Sequence, residues 1–136
     1  MMALVHEFLI KKDNIKISID DNLIQYFIDC FEWIETKNPE NEEVTGDKGL
    51  NYYGDTEIPL GSIGVLKNIA ESILQLFSNA PNTIVLTGSY YEDETGHSGY
   101  EKIKYLREEI LSQIEELYNL CIIAEKMKEN IYHSGL

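Results

Sequence analysis

Along the last third of the chain, apolar side chains recur every third or fourth residue: Ile103, Leu106, Ile110, Ile114, Leu117, Cys121 and Ala124. That period puts them on one stripe of an α-helix, and the spacing predicts a helix from Tyr100 to about Ile131. Between Leu117 and Ala124 only Asn119 is strongly polar. Such a segment is apolar nearly all round and has to run through a core, while Glu108, Glu109, Glu115 and Glu116 mark its solvated part. The spacing is also compatible with a homo-oligomeric seam, packing within the chain being the simpler arrangement.

The covering elements come from the rest of the chain. Phe8 and Ile10 alternate before Lys11-Lys12-Asp13-Asn14, and Ile15, Ile17 and Ile19 alternate after it, which predicts a β-hairpin over His6–Ile19. Asp13 and Asn14 tolerate the left-handed backbone a tight turn needs. Asp20 or Asp21 can cap a helix to about Thr36, with Leu23, Phe27, Cys30, Phe31 and Ile34 on one stripe. A second helix is expected from Leu60 to Asn79 on Ile63, Leu66, Ala70, Ile73, Leu74 and Phe77, stopped by Asn79-Ala80-Pro81. Thr83–Thr87 is a nearly continuous apolar run and reads as a short central strand. Pro39–Pro59 and Gly88–Gly99 lack a period and read as loops, the first with room for a short hairpin around Gly49. The expected class is therefore α+β: an N-terminal β-hairpin and a short central strand packed with three helices, the C-terminal one long, in a single domain spanning 1–136.

With 136 residues and 43% apolar content, the chain can build one continuous core. Cys30 and Cys121 each sit inside an apolar helical pattern, which fits buried free thiols in a reducing compartment. Met1–Ile10 carries Glu7 and His6 and no small-residue cleavage signal, so it is not expected to be a secretory peptide. No apolar stretch is long enough to span a bilayer. Ten lysines against one arginine, with frequent isoleucine and asparagine, is the usage of an AT-rich bacterial gene. The net charge of −13 disfavours direct contact with phosphate backbones or anionic lipid.

That charge is concentrated. The segment 38–57 carries Glu40, Glu42, Glu43, Asp47, Asp55 and Glu57 against Lys48 alone, and 90–101 carries Glu92, Asp93, Glu94 and Glu101 against no base. The same two segments hold Tyr52, Tyr53, Tyr90, Tyr91 and Tyr100. Acids interleaved with amphipathic rings make a surface that attracts a cation-rich partner and then grips it. Scattered solubilising acids would instead be spread along the helices' exposed faces, where bases accompany them.

Motifs of catalysis are weak beside this. Gly96-His97-Ser98-Gly99 falls short of a nucleophile elbow because Tyr100 stands where glycine is required. His6, His97 and His133 are far apart, neither cysteine has a partner at metal-ligand spacing, and Glu92-Asp93-Glu94 lacks the spacing of a calcium loop. Gly61-Ser62-Ile63-Gly64 has no phosphate-loop lysine. No cofactor, metal or catalytic residue is expected, and lone Trp33 reads as a residue at the margin of the core.

A small, acidic bacterial chain with an anionic, aromatic face resembles the immunity proteins of bacterial toxin systems, including those of contact-dependent growth inhibition. The resemblance rests on whole-chain character and on stretches such as Gly49-Leu50-Asn51-Tyr52-Tyr53-Gly54 and His133-Ser134-Gly135-Leu136. It implies a role without catalysis: binding a cognate toxin domain, often a basic nuclease, in the cytoplasm of the producing cell. The acids and tyrosines named above would face the lysines and arginines that otherwise hold nucleic acid. Two other roles fit the same residues, an acidic nucleic-acid-mimicking regulator that binds several basic proteins, and a small hydrolase using His97 or an acid pair.

Overall fold

The computed structural model describes residues 5–37 and 48–135. The alternation at its start produces β1 (Val5–Ile10), with His6, Phe8 and Ile10 buried, and β2 (Ile15–Asp20), paired antiparallel. Asp13 and Asn14 take φ of 63° and 50° in the single 3-10 turn between them, the left-handed geometry expected of those residues. On the other side of β1 lies β6 (Ile131–Gly135), and beyond it β3 (Asp55–Ile58). The sheet runs in the order β2-β1-β6-β3, antiparallel throughout. Its interior pair therefore joins the two ends of the chain, and β6 was not expected as a strand.

Asp20 caps α1 (Asp21–Tyr26), its Oδ1 accepting the Leu23 N–H at 3.0 Å. The helix expected to reach Thr36 stops there: Phe27, at φ −104° and ψ 12°, leaves helical geometry, and α2 (Ile28–Phe31) adds one further turn. Tertiary pairing ends it, because the Ile34 carbonyl accepts from Gly49 N–H and Lys37 exchanges two backbone bonds with Glu57. The break also lets Ile24, which is off the expected stripe, bury beside Leu23, Phe27, Phe31 and Ile34. Gly49, at φ 74°, belongs to this crossing, with Lys48 bridged to Glu35, and a turn over Asn51–Gly54 leads into β3. No hairpin forms around Gly49 among the described residues.

α3 (Leu60–Phe77) follows the predicted bounds closely and buries Ile63, Leu66, Ala70, Ile73 and Phe77. It packs along α4 (Arg107–Met127), whose Ile110, Ile114, Leu117, Leu120, Cys121 and Ala124 complete the core. The long helix starts later than its period predicts. Tyr100–Leu106 is extended, because Ile103 and Tyr105 also alternate with Lys102 and Lys104; Glu109 Oε1 then accepts the Leu106 N–H at 2.8 Å and opens the helix. Lys128, at φ 57°, closes it before Ile131.

The expected acidic loop Gly88–Gly99 is mostly strand. β4 (Thr83–Glu92) and β5 (Ser98–Leu106) form a long antiparallel hairpin with a bulge between Thr87 and Tyr90. Among the described residues β4 pairs with β5 alone, so Thr83–Thr87 is not a central strand. Its apolar run is divided, with Leu86 buried and Val85 exposed. Gly88 sits at the bulge, where a Cβ would lie 2.9 Å from Ile103 Cδ1. Cys30 and Cys121 are both free thiols, Cys121 within the core.

Candidate functional site

The two acidic, tyrosine-rich segments have different local structures. In the first, Glu40, Glu42, Glu43 and Asp47 lie outside the described residues. Tyr52 and Tyr53 occupy the turn before β3 with rings edge to face, 4.8 Å between centroids. Tyr53 is 82% exposed, but Tyr52 is half-buried and donates its hydroxyl to Asp21 Oδ1. Burial and the Asp21 carboxylate push the Tyr52 phenol well above its ordinary range. Asp55 is exposed, whereas Glu57 Oε1 accepts from Asn130 Nδ2 at 2.9 Å and Tyr132 hydroxyl at 3.2 Å. Tyr52 and Glu57 thus fasten β3 and its turn to the rest of the molecule.

The second segment is the end of the β4–β5 hairpin. Its base is held firmly. Tyr105 donates to Asp20 Oδ1 at 2.7 Å, Gln113 Nε2 reaches Asp20 Oδ2 at 3.2 Å, and Arg107 Nη1 donates to the Ala80 carbonyl at 2.9 Å. Beyond Gly88, every residue from Ser89 to Ser98 is exposed. Tyr90 and Tyr100 face each other across the strands, 5.4 Å between ring centroids, and Tyr91 lies opposite Gly99 on the other face. Asp93 organises the tip, where its Oδ1 accepts from the Thr95 hydroxyl at 2.7 Å and from the Thr95 and His97 N–H groups at 2.9 Å. Those bonds, the Thr95 hydroxyl foremost, hold its carboxyl below the usual range. Glu92 and Glu94 remain open to solvent. His97 Nδ1 contacts the Thr95 hydroxyl at 2.6 Å and lies 3.6 Å from Asp93 Oδ2.

No hydrogen bond, ion pair or aromatic contact among the described residues joins the Tyr52–Glu57 segment to the hairpin tip. Asp21, at the start of α1, receives Tyr52. Asn22, Gln25 and Tyr26 of the same helix line a shallow pocket with Leu86, Thr87 and Ser89 of β4. α1 thus holds Tyr52 of the first segment, while β4 borders it before the second segment begins.

Sequence reasoning missed a buried network. His6 Nδ1 and His133 Nε2 are 2.8 Å apart, and His6 Nε2 lies 3.0 Å from Asp21 Oδ1. Both rings are buried and nearly parallel, at 15°. An ionised Asp21 only accepts, so His6 Nε2–H and the Tyr52 hydroxyl both donate to it. Whichever ring nitrogen donates between His6 and His133, His133 Nδ1 is buried and has no hydrogen-bond partner among the described residues. Burial, reinforced by His6, lowers the His133 pKa to about 3. The network ties together β1, β6, α1 and the Tyr52 turn. A signal for it was present: His6 is in phase with Phe8 and Ile10, and His133 with Ile131, so both lie on the buried faces of their strands.

Among the described residues, no cluster of His, Cys, Asp and Glu is arranged to hold a metal ion, and no helix is long and apolar enough to cross a membrane. Compared with protein-family models, with curated proteins and with solved structures, the chain has no match.

Proposed function

We propose that this chain is an immunity-type inhibitor that binds and neutralises a cognate basic toxin domain, a nuclease in the simplest case, in the cytoplasm of the cell that makes it. The observation that carries the reading is the free end of the β4–β5 hairpin. It presents Tyr90, Tyr91 and Tyr100 with Glu92 and Glu94, all exposed, and among the described residues its ties to the rest of the molecule lie at its base. Folding leaves about half of the surface of each of these tyrosines exposed, and an ordered ribbon presents them at lower entropic cost than a flexible loop would. Acidic groups steer a basic partner into encounter, and the tyrosines supply rigid contact area. Tyr53 and Asp55 add to the acidic, aromatic surface, while Tyr52, Glu57 and Asp93 serve it through structure.

The test begins at the gene immediately upstream: a toxin domain encoded there is coexpressed with this chain, and the absence of one there counts against the reading. The expected result is copurification, rescue of growth, and an association rate that falls steeply with added salt while dissociation changes little. Changing Tyr90→Ala and Tyr100→Ala together is expected to abolish rescue. Unchanged rescue by that double variant, or association indifferent to salt, overturns the reading.

A further inference from the structure

A second exposed surface lies beside the hairpin. Phe27, Cys30 and Trp33 form one wall of a groove of about 330 Å³, and Val65, Ile69 and Leu76 of α3 form the other. Trp33 is 67% and Leu76 65% exposed. The α3 wall is a stripe at helical spacing that extends about 16 Å along the axis, with Val65 and Leu76 exposed at its ends and Ile69 between them packed partly on the core. The groove also continues toward the hairpin. The Tyr26 ring packs edge to face on Phe27 and Phe77, 5.0 and 6.5 Å between centroids, and borders the pocket against β4.

Charge selects the occupant. The walls and the hairpin tip are built from residues 17–36 and 65–101, which together carry ten Asp and Glu against a single base, Lys67. The nearest cation on α3, Lys67, is drawn away to Glu125 at 2.6 Å. A second copy would bring the same acidic walls and a net charge of −13, so self-association here is opposed. Resting on the reading of this chain as an inhibitor of a basic protein, we infer that the α2–α3 groove docks an amphipathic segment of that partner, with aliphatic side chains in the groove and lysine or arginine on its flanks. The hairpin and the groove are then two halves of one binding face, with Tyr26 between them.

The molecule carries its own reporters. Trp33 is the only tryptophan, and Cys30 is half-buried in the groove while Cys121 is fully buried. The probe is a synthetic leucine–lysine peptide with leucines at helical spacing, and its leucine–glutamate counterpart is the control. The expected result is a blue shift of Trp33 emission and slowed alkylation of Cys30 with the lysine peptide, and neither with the glutamate peptide. Leu76→Asp and, separately, Val65→Asp, both at exposed positions, are expected to weaken binding roughly tenfold or more. Attraction by charge alone predicts the opposite, since either change adds negative charge. Undiminished binding by both variants, or equal binding of the two peptides, overturns the inference. So does sedimentation of the free protein as a dimer that Leu76→Asp dissociates, which would make a second copy the occupant. Tyr90→Ala with Tyr100→Ala is expected to leave peptide binding intact, so failure of the hairpin reading and failure of the groove are read separately.

Discussion

The turn before β3 and the tip of the β4–β5 hairpin share a composition, acids mixed with paired tyrosines, yet they have different structural roles. In the first, Tyr52 and Glu57 bind Asp21, Asn130 and Tyr132. In the second, Tyr90, Tyr91, Glu92 and Glu94 are exposed, and the side-chain hydrogen bonds of these residues and Asp93 among the described residues stay within the tip, from Tyr90 hydroxyl to Glu92 and from Thr95 and His97 to Asp93. What separates them is strand pairing across long sequence distance. The first segment meets β6 and through it the N-terminal strand, so its polar groups find partners; the second meets only its own returning strand. Acidic, aromatic composition therefore locates a candidate surface, and topology decides whether its side chains are available.

The comparison is broken most severely at glycine. Gly135 donates its N–H to the Gly54 carbonyl at 2.9 Å, and a Cβ there would lie 2.0 Å from the Tyr52 carbonyl oxygen. That neighbour is backbone and cannot rotate away. Gly135→Ala is expected to destabilise the fold by about 3 kcal/mol, read as a lower urea midpoint with little change in slope. Gly99→Ala in the hairpin meets only the Tyr91 ring, at 3.8 Å or more, and is expected to cost less than about 0.5 kcal/mol. Equal effects would mean that the Tyr52 turn is no better anchored than the hairpin tip.

A smaller effect comes from pH. Unfolded histidine titrates near 6.5, whereas native His133 holds out to about 3. Below pH 6.5 the unfolded chain takes up a proton that the native chain refuses, so stability falls as pH falls, by up to about 1.4 kcal/mol per unit. His133→Leu is expected to flatten the dependence between pH 6.5 and 5 when unfolding is followed at each pH. Parallel curves for the two proteins would show that the buried pair is not what separates the anchored turn from the free hairpin.

Local signals carried much of the fold. Alternation gave the β1–β2 hairpin, Asp20 or Asp21 was expected as the cap and Asp20 is it, and Asn79-Ala80-Pro81 marked the end of α3 to within two residues. The misses occur where one segment satisfies two periods or where its partner is remote. Ile103 fits both the three-to-four spacing leading into Ile110 and an alternation with Tyr105, and pairing with Ile84 and Leu86 decided for strand. β6 is short and pairs with β1, more than 120 residues away, as His133 does with His6. Such contacts leave no local trace beyond the phase of the buried residues. The groove was hidden for a related reason: reading Asp21–Thr36 as one helix placed Trp33 beside the core, whereas the break at Phe27 turns it outward.

The smallest effect on stability is expected at the hairpin tyrosines, and this sharpens the comparison most. Tyr90 and Tyr100 touch each other across the strands and otherwise face solvent, 54% and 57% exposed. A cross-strand aromatic pair on an exposed ribbon contributes about 0.2–1 kcal/mol, and the hairpin base keeps its Tyr105, Leu86 and Arg107 contacts when the pair is removed. Tyr90→Ala with Tyr100→Ala should therefore lower stability by less than about 1 kcal/mol, measured by urea unfolding. Tyr52→Ala should cost more, because it strips Asp21 of a donor next to His6 and leaves a gap beneath the Tyr53 ring. If the two substitutions cost the same, the hairpin rings are structural and their exposure is no argument for a partner. If the hairpin pair costs little, its tyrosines are free to be used in binding, and the coexpression test of the same double variant reads that use directly.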